Sequence, residues 1–157
     1  MDNSTACCCS ELADTAIIGM GDAEGMDERV FETLDLVRNY GDDKWWLYAS
    51  TCRACGQNWM IAQEERIHDH YCLKRIDWQT LNEIVEHSGW PDDFLSYENV
   101  LRLGREAGYV ATFLDPKSPA LVETAQDLRR ARPEISIEDV AYALAIPTKQ
   151  AERLFKA

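Results

Sequence analysis

The chain is short of positive charge, of long apolar runs and of the common catalytic signatures, and each shortage excludes a class of protein. Its 16 Lys and Arg stand against 28 Asp and Glu, a formal net charge of −12 at neutral pH. Such a chain should repel nucleic acid and attract basic surfaces. Nowhere do about eighteen apolar residues run together, and Met1-Asp2-Asn3 opens without the basic region and apolar run of a secretory signal. A cytoplasmic protein is therefore expected. There is no G-x-S-x-G, no phosphate-binding glycine loop and no H-E-x-x-H, so the expectation is a protein that is not an enzyme. In that setting the 6 cysteines read as reduced thiols or metal ligands rather than a disulfide framework.

What is present is enough for a real core: 157 residues, 46% of them hydrophobic, with 5 Trp. The charge is uneven. Residues 1–116 carry 9 Lys/Arg against 22 Asp/Glu, a balance of −13, and residues 117–157 carry 7 against 6. Three segments follow: a disordered tail over 1–26, an acidic α+β domain over 27–116, and a helical unit over 117–157. The tail holds Cys7-Cys8-Cys9 and Gly19, Gly21 and Gly25. Three adjacent side chains do not easily converge on one ion, so those cysteines read as exposed.

The local pattern predicts an α+β, mainly helical fold. Val30, Phe31, Leu34 and Val37 recur at three- and four-residue spacing, which predicts a helix from Asp27 to Gly41. Lys44–Thr51 is rich in aromatic residues and of strand length, and Asn58–Ala62 reads as its returning partner. That gives an aromatic hairpin closed by a cysteine knuckle. Helices are expected over about 63–75, after Asp77, after Ser96 and from Pro119 to Arg132, with a short strand at Tyr109–Leu114. Asp115-Pro116-Lys117-Ser118-Pro119 marks the clearest boundary.

Metal-binding residue types fall at metal-binding spacing in one stretch. Cys52, Cys55, His68 and Cys72 form C-x2-C-x12-H-x3-C. Two cysteines two residues apart can turn both sulfurs to one side of a tight knuckle, and Gly56 permits the backbone such a turn needs. On a helix His68 and Cys72 would share a face. His70 is the alternative ligand to His68, and packed, metal-free thiols are the alternative to a metal. Over residues 52–72 the chain resembles a Cys2HisCys zinc finger, with Trp59 where that family keeps its core aromatic. The resemblance implies a structural zinc. Glu64, Glu65 and Asp69, with only Arg66 as a base among them, do not suit a helix that reads DNA.

A second motif lies at the C-terminus. In Ile135–Lys156, Ser136 opens a helix through Val140, Ala141 and Leu144, Ala145-Ile146-Pro147 turns, and a last helix carries Ala151, Leu154 and Phe155. This segment resembles a helix-turn-helix, with Ala145 where that family often has Gly. The resemblance implies that Lys149, Gln150 and Arg153 could contact phosphates and base edges. A bundle built only for packing has the same pattern.

The composition favours a non-catalytic acidic recognition protein that binds and neutralises a basic protein partner. It is similar in type to bacterial toxin immunity proteins and antitoxins. The alternative is a helix-turn-helix transcription regulator with a zinc-stabilised acidic domain.

Overall fold

Alternation with period two, rather than helical spacing, governs the middle of the chain. A computed structural model describes residues 7–19, 27–41, 44–108 and 118–155. Strands β1 (Thr15–Gly19), β2 (Leu34–Gly41), β3 (Lys44–Cys52), β4 (Asn58–Glu64) and β5 (His70–Ile76) form one antiparallel sheet in the order β1-β5-β4-β3-β2. The strands from β2 to β5 run as a meander, and β1 pairs along the outside of β5. Helices α1 (Trp78–His87), α2 (Tyr97–Glu106), α3 (Pro119–Ala131), α4 (Ile137–Leu144) and α5 (Thr148–Leu154) come after it in the chain.

This corrects the mainly helical, hairpin-based fold expected from the sequence. The fold is α+β, with five strands in place of a hairpin. Neither of two predicted helices forms over its expected span. Asp27–Thr33 is a 3-10 segment that buries Val30, and the chain then extends into β2. Apolar residues at three- and four-residue spacing served a short 3-10 helix followed by one strand. The second, over 63–75, contains β5, in which His70, Cys72 and Ile76 face one side and Tyr71 and Leu73 the other. The i,i+4 placement of His68 and Cys72 mimicked a helix only at those two residues.

Other expectations match. Asp77 caps α1 by accepting from the Thr80 amide, Ser96 caps α2 through the Asn99 amide, and Ser136 caps α4 through the Asp139 amide. The strand expected at Tyr109–Leu114, and residues 115–117 of the boundary, lie outside the described residues. Residues 15–19, expected to belong to a disordered tail, form β1 in register with Lys74 to His70.

Strand alternation sorts the side chains to two faces. Leu47, Ala49, Met60, Ala62, Cys72 and Ile76 pack against the helices, with Ile84, Phe94, Leu101, Leu121 and Leu144 fully buried over them. Cys52, Trp59, Ile61 and Leu73 point the other way. There Cys9, Ala16, Ile18 and Val30 cover them. Among the described residues, no helix is long and apolar enough to cross a membrane.

Candidate metal centre

The hairpin between β3 and β4 folds as a cysteine knuckle. The Cys52 amide donates to Gln57 O at 2.8 Å, the Gly56 amide donates to Cys52 O at 2.8 Å, and Gly56 sits at φ +83. A residue with a Cβ would be strained at that φ. Outside the turn, the Thr51 hydroxyl donates to Asn58 Oδ1 at 2.6 Å. Arg53 ties the knuckle to the 3-10 segment and β2: its amide donates to Thr33 O, and its guanidinium donates to Glu32 O and pairs with Asp35 at 2.8 Å.

Two more cysteines meet this knuckle. Cys7 and Cys9 bring their sulfurs to Cys52 and Cys55, and all four Sγ atoms lie within 4.8 Å of one another. Cys9 opens a 3-10 turn and is buried, as is Cys52; Cys55 is exposed. Alternate residues of the Cys7-Cys8-Cys9 run thus share a side. A tetrahedral zinc with bonds of about 2.3 Å would set its sulfurs roughly 3.8 Å apart, so this spread suits a zinc-finger-like site. Four thiolates are also the donors that a soft or borderline cation prefers.

The surroundings favour a thiolate at one of the sulfurs. Burial acts to raise the Cys52 thiol, but the Thr33 hydroxyl, the Cys55 and Ala54 amides and the Cys55 thiol outweigh it and bring it down to about 6. Burial pushes Cys9 and Cys55 up. Without a cation, Cys52 is therefore the first of the coupled set to ionise. Deprotonating the rest so close together requires a positive charge among them, which a divalent ion supplies. An outer layer is in place: Trp59 Nε1 donates to Cys9 Sγ at 3.3 Å, and Cys52 Sγ lies 3.2 Å from Thr33 Oγ1. The Arg75 guanidinium lies 4.6 Å from the Trp59 ring and donates to Leu12 O and Cys9 O.

Of the four ligands expected from the sequence, the structure brings Cys52 and Cys55 into this cluster and places His68 and Cys72 elsewhere. Cys72 is fully buried among the helix-facing residues of β5, on the opposite side of the sheet from Cys52, and burial raises its thiol. His68, in the loop after β4, sets its Nε2 2.9 Å from Ala143 O of α4. The alternative ligand, His70, sets its Nε2 2.9 Å from Val100 O of α2. A carbonyl only accepts, so each Nε2 carries the proton, and both Nδ1 atoms are buried without a hydrogen-bond partner. Glu64 organises the same loop: its carboxylate accepts from the amides of Arg66, Ile67 and His68 and from the Tyr97 hydroxyl, at 2.5–2.9 Å. These groups fasten the loop to the helical layer.

Sequence reasoning missed Cys7 and Cys9 as members of the cluster. Their signal was a second short-spaced cysteine pair, C-x-C, that could complement C-x2-C. At the C-terminus, α4 and α5 are joined at Ala145, whose φ of 58 is left-handed. Lys149 and Arg153 are exposed on α5, while Gln150 is half-buried with its Nε2 enclosed and unpartnered. No protein-family model matches the chain, and no curated protein or solved structure matches it either.

Proposed function

We propose that the chain is a non-catalytic recognition protein that binds a basic protein partner, in the manner of toxin immunity proteins or antitoxins, and that a structural zinc on the four cysteines stabilises it. The observation that carries the partner reading is an apolar and acidic depression of about 390 Å³ formed by β2, β3 and the end of β4. Leu36, Trp45, Tyr48, Gln63 and Glu65 line it, and Leu36 and Trp45 are 58% and 47% exposed. Exposed aromatic and aliphatic side chains beside a carboxylate suit the stem and head of an arginine or lysine. The net charge of −12 favours the same partners from a distance. Four cysteine ligands fill a tetrahedral ion and leave no position for a reacting water, which supports a structural role.

The regulator reading rests on a different observation, the left-handed turn at Ala145 and the exposed Lys149 and Arg153 that follow it. One binding experiment separates the two. The protein is titrated with the polypeptide encoded by the neighbouring gene and, separately, with random-sequence duplex DNA. Under the recognition reading the polypeptide binds, its association slows as salt rises, and Trp45→Glu weakens it by about tenfold or more while Lys149→Glu/Arg153→Glu leaves it nearly intact. Sequence-selective DNA binding abolished by Lys149→Glu/Arg153→Glu would put the regulator in its place.

A further inference from the structure

The four sulfurs come from two parts of the chain that are far apart in sequence and unequal in rigidity. Cys52 and Cys55 belong to a knuckle closed by its own backbone hydrogen bonds and continuous with the two central strands β3 and β4. Cys7 and Cys9 belong to residues 7–19, which reach the sheet only as edge strand β1 and the irregular segment before it. That segment buries few side chains of its own, chiefly Cys9, Ala16 and Ile18. Its polar ties include the pairing of β1 with β5, the Arg75 amide donating to Asp14 O, the Arg75 guanidinium donating to Leu12 O and Cys9 O, the Trp59 indole donating to Cys9 Sγ, and largely exposed ion pairs of Asp14 with Arg75 and Glu11 with Arg29. A short edge strand with so little apolar burial gains little against the entropy of ordering it. Beneath it lie Trp59, Ile61 and Leu73, none of which exposes any surface to water.

We propose that a thiophilic divalent cation of the zinc class, bound by Cys7, Cys9, Cys52 and Cys55, is the fastener that docks residues 7–19 on the outer face of the sheet. Metal occupancy then decides whether Trp59 and its neighbours are covered. The inference rests on the structural-zinc reading above and adds what binding does. A cross-link between Cys9 and Cys52 removes most of the freedom of the intervening chain, so β1 pairs with β5 as an intramolecular event at high effective concentration. With the ion gone, the segment detaches as a unit while the helix-covered face stays folded. The depression lined by Cys9, Cys55, Gln57 and Asp77 opens the site to solvent on the Cys55 side and gives ion and chelator a route.

The test uses the full chain with zinc, and with cobalt(II) as a spectroscopic stand-in. Cobalt should give the intense sulfur-to-metal absorption of a four-thiolate site, reduced in Cys7→Ser, Cys9→Ser, Cys52→Ser and Cys55→Ser and unchanged in Cys72→Ala. Chelating the ion should speed amide exchange in residues 15–19 and in their β5 partners by about tenfold or more, shift the emission of Trp59 toward that of exposed indole, and leave exchange in α1 and α3 as it was. Failure to bind any stoichiometric metal overturns the zinc reading and this inference together. Metal bound by the four cysteines with unchanged exchange at 15–19 after chelation keeps the zinc reading and overturns the fastener. A cobalt spectrum lost in Cys72→Ala and kept in Cys7→Ser overturns the ligand set.

Discussion

The two faces of the sheet are covered by different means. Among the described residues, the helix-facing cluster holds twenty-five buried apolar side chains contributed by three strands, the loop after β4, all five helices and their connections. The outer cluster holds eight, and its cover is an irregular segment, a 3-10 turn and one edge strand. Each large apolar side chain taken fully out of water contributes about 1.5–3 kcal/mol, so the first face is held by the amount it buries. The second has too few such groups for its cover to be secured in the same way, and it is there that the four sulfurs converge. Where apolar area is scarce, small proteins use cross-links.

Their polar devices differ in the same sense. On the helix face, Glu64 is fully buried yet accepts four hydrogen bonds, and His68 and His70 bond carbonyls of α4 and α2. The two helices thereby meet the β4–β5 loop at fixed points. Gly104 of α2 lies so close to His70 that an added Cβ would fall within 2.2 Å of the ring. On the outer face the polar groups point to sulfur or to the backbone of residues 9–14.

The largest effect that would sharpen this contrast is expected at Glu64. Glu64→Ala strands three loop amides and a tyrosine hydroxyl in the interior and should cost about 3–5 kcal/mol in urea unfolding, with or without bound metal. Glu64→Gln, which keeps an acceptor oxygen, should lose less. A loss below roughly 1 kcal/mol for the alanine variant would mean that the loop is not anchored through this carboxylate.

A smaller and more local effect is expected at Arg75, whose guanidinium packs on Trp59 and donates to the segment that β1 continues. Arg75→Ala should weaken the docking of that segment by about 1–2 kcal/mol, measured as faster amide exchange in β1. Exchange in α3 should not change. If both speed up equally, the two faces unfold as one and the contrast between them fails.

The smallest effect near neutrality is titration of the two histidines. Burial lowers both below the ordinary value of 6.5, while Glu64 acts in the opposite sense on each, and Arg105 and Asp69 also bear on His68. The folded state prefers the neutral rings, so their contribution is complete above about pH 6.5 and is lost as pH falls from there through the lower folded-state values. The urea midpoint of the chelated Cys52→Ser protein should therefore fall between about pH 7.5 and 5.5, a variant that takes out of the comparison both the metal and the one thiol held down to about 6. A midpoint indifferent to pH over that range would show that the rings are not held neutral.

Several elements were legible because their causes are local. The Cys52–Gly56 knuckle, the aromatic strand before it and the caps at Asp77, Ser96 and Ser136 each depend on a few neighbouring residues. Residues 27–41 were misread because a short 3-10 helix followed by a strand can carry the same apolar spacing as an α-helix. Residues 70–76 were misread although their two-residue alternation was visible, because His68 and Cys72 drew attention to a spacing of four.

The sequence alone determined that the chain is acidic, that it has a core, and that Cys52 and Cys55 sit on one tight knuckle, since composition and short spacing suffice for each. Only the tertiary structure decided the other half of the site. Strand alternation turns Cys72 away from Cys52 to the opposite face of the sheet, and antiparallel pairing of β1 with β5 belongs to the arrangement that sets Cys7 and Cys9 beside the knuckle. Spacing along a chain constrains which residues can meet nearby. Which distant residues meet is settled by the face each strand presents and the neighbour it pairs with.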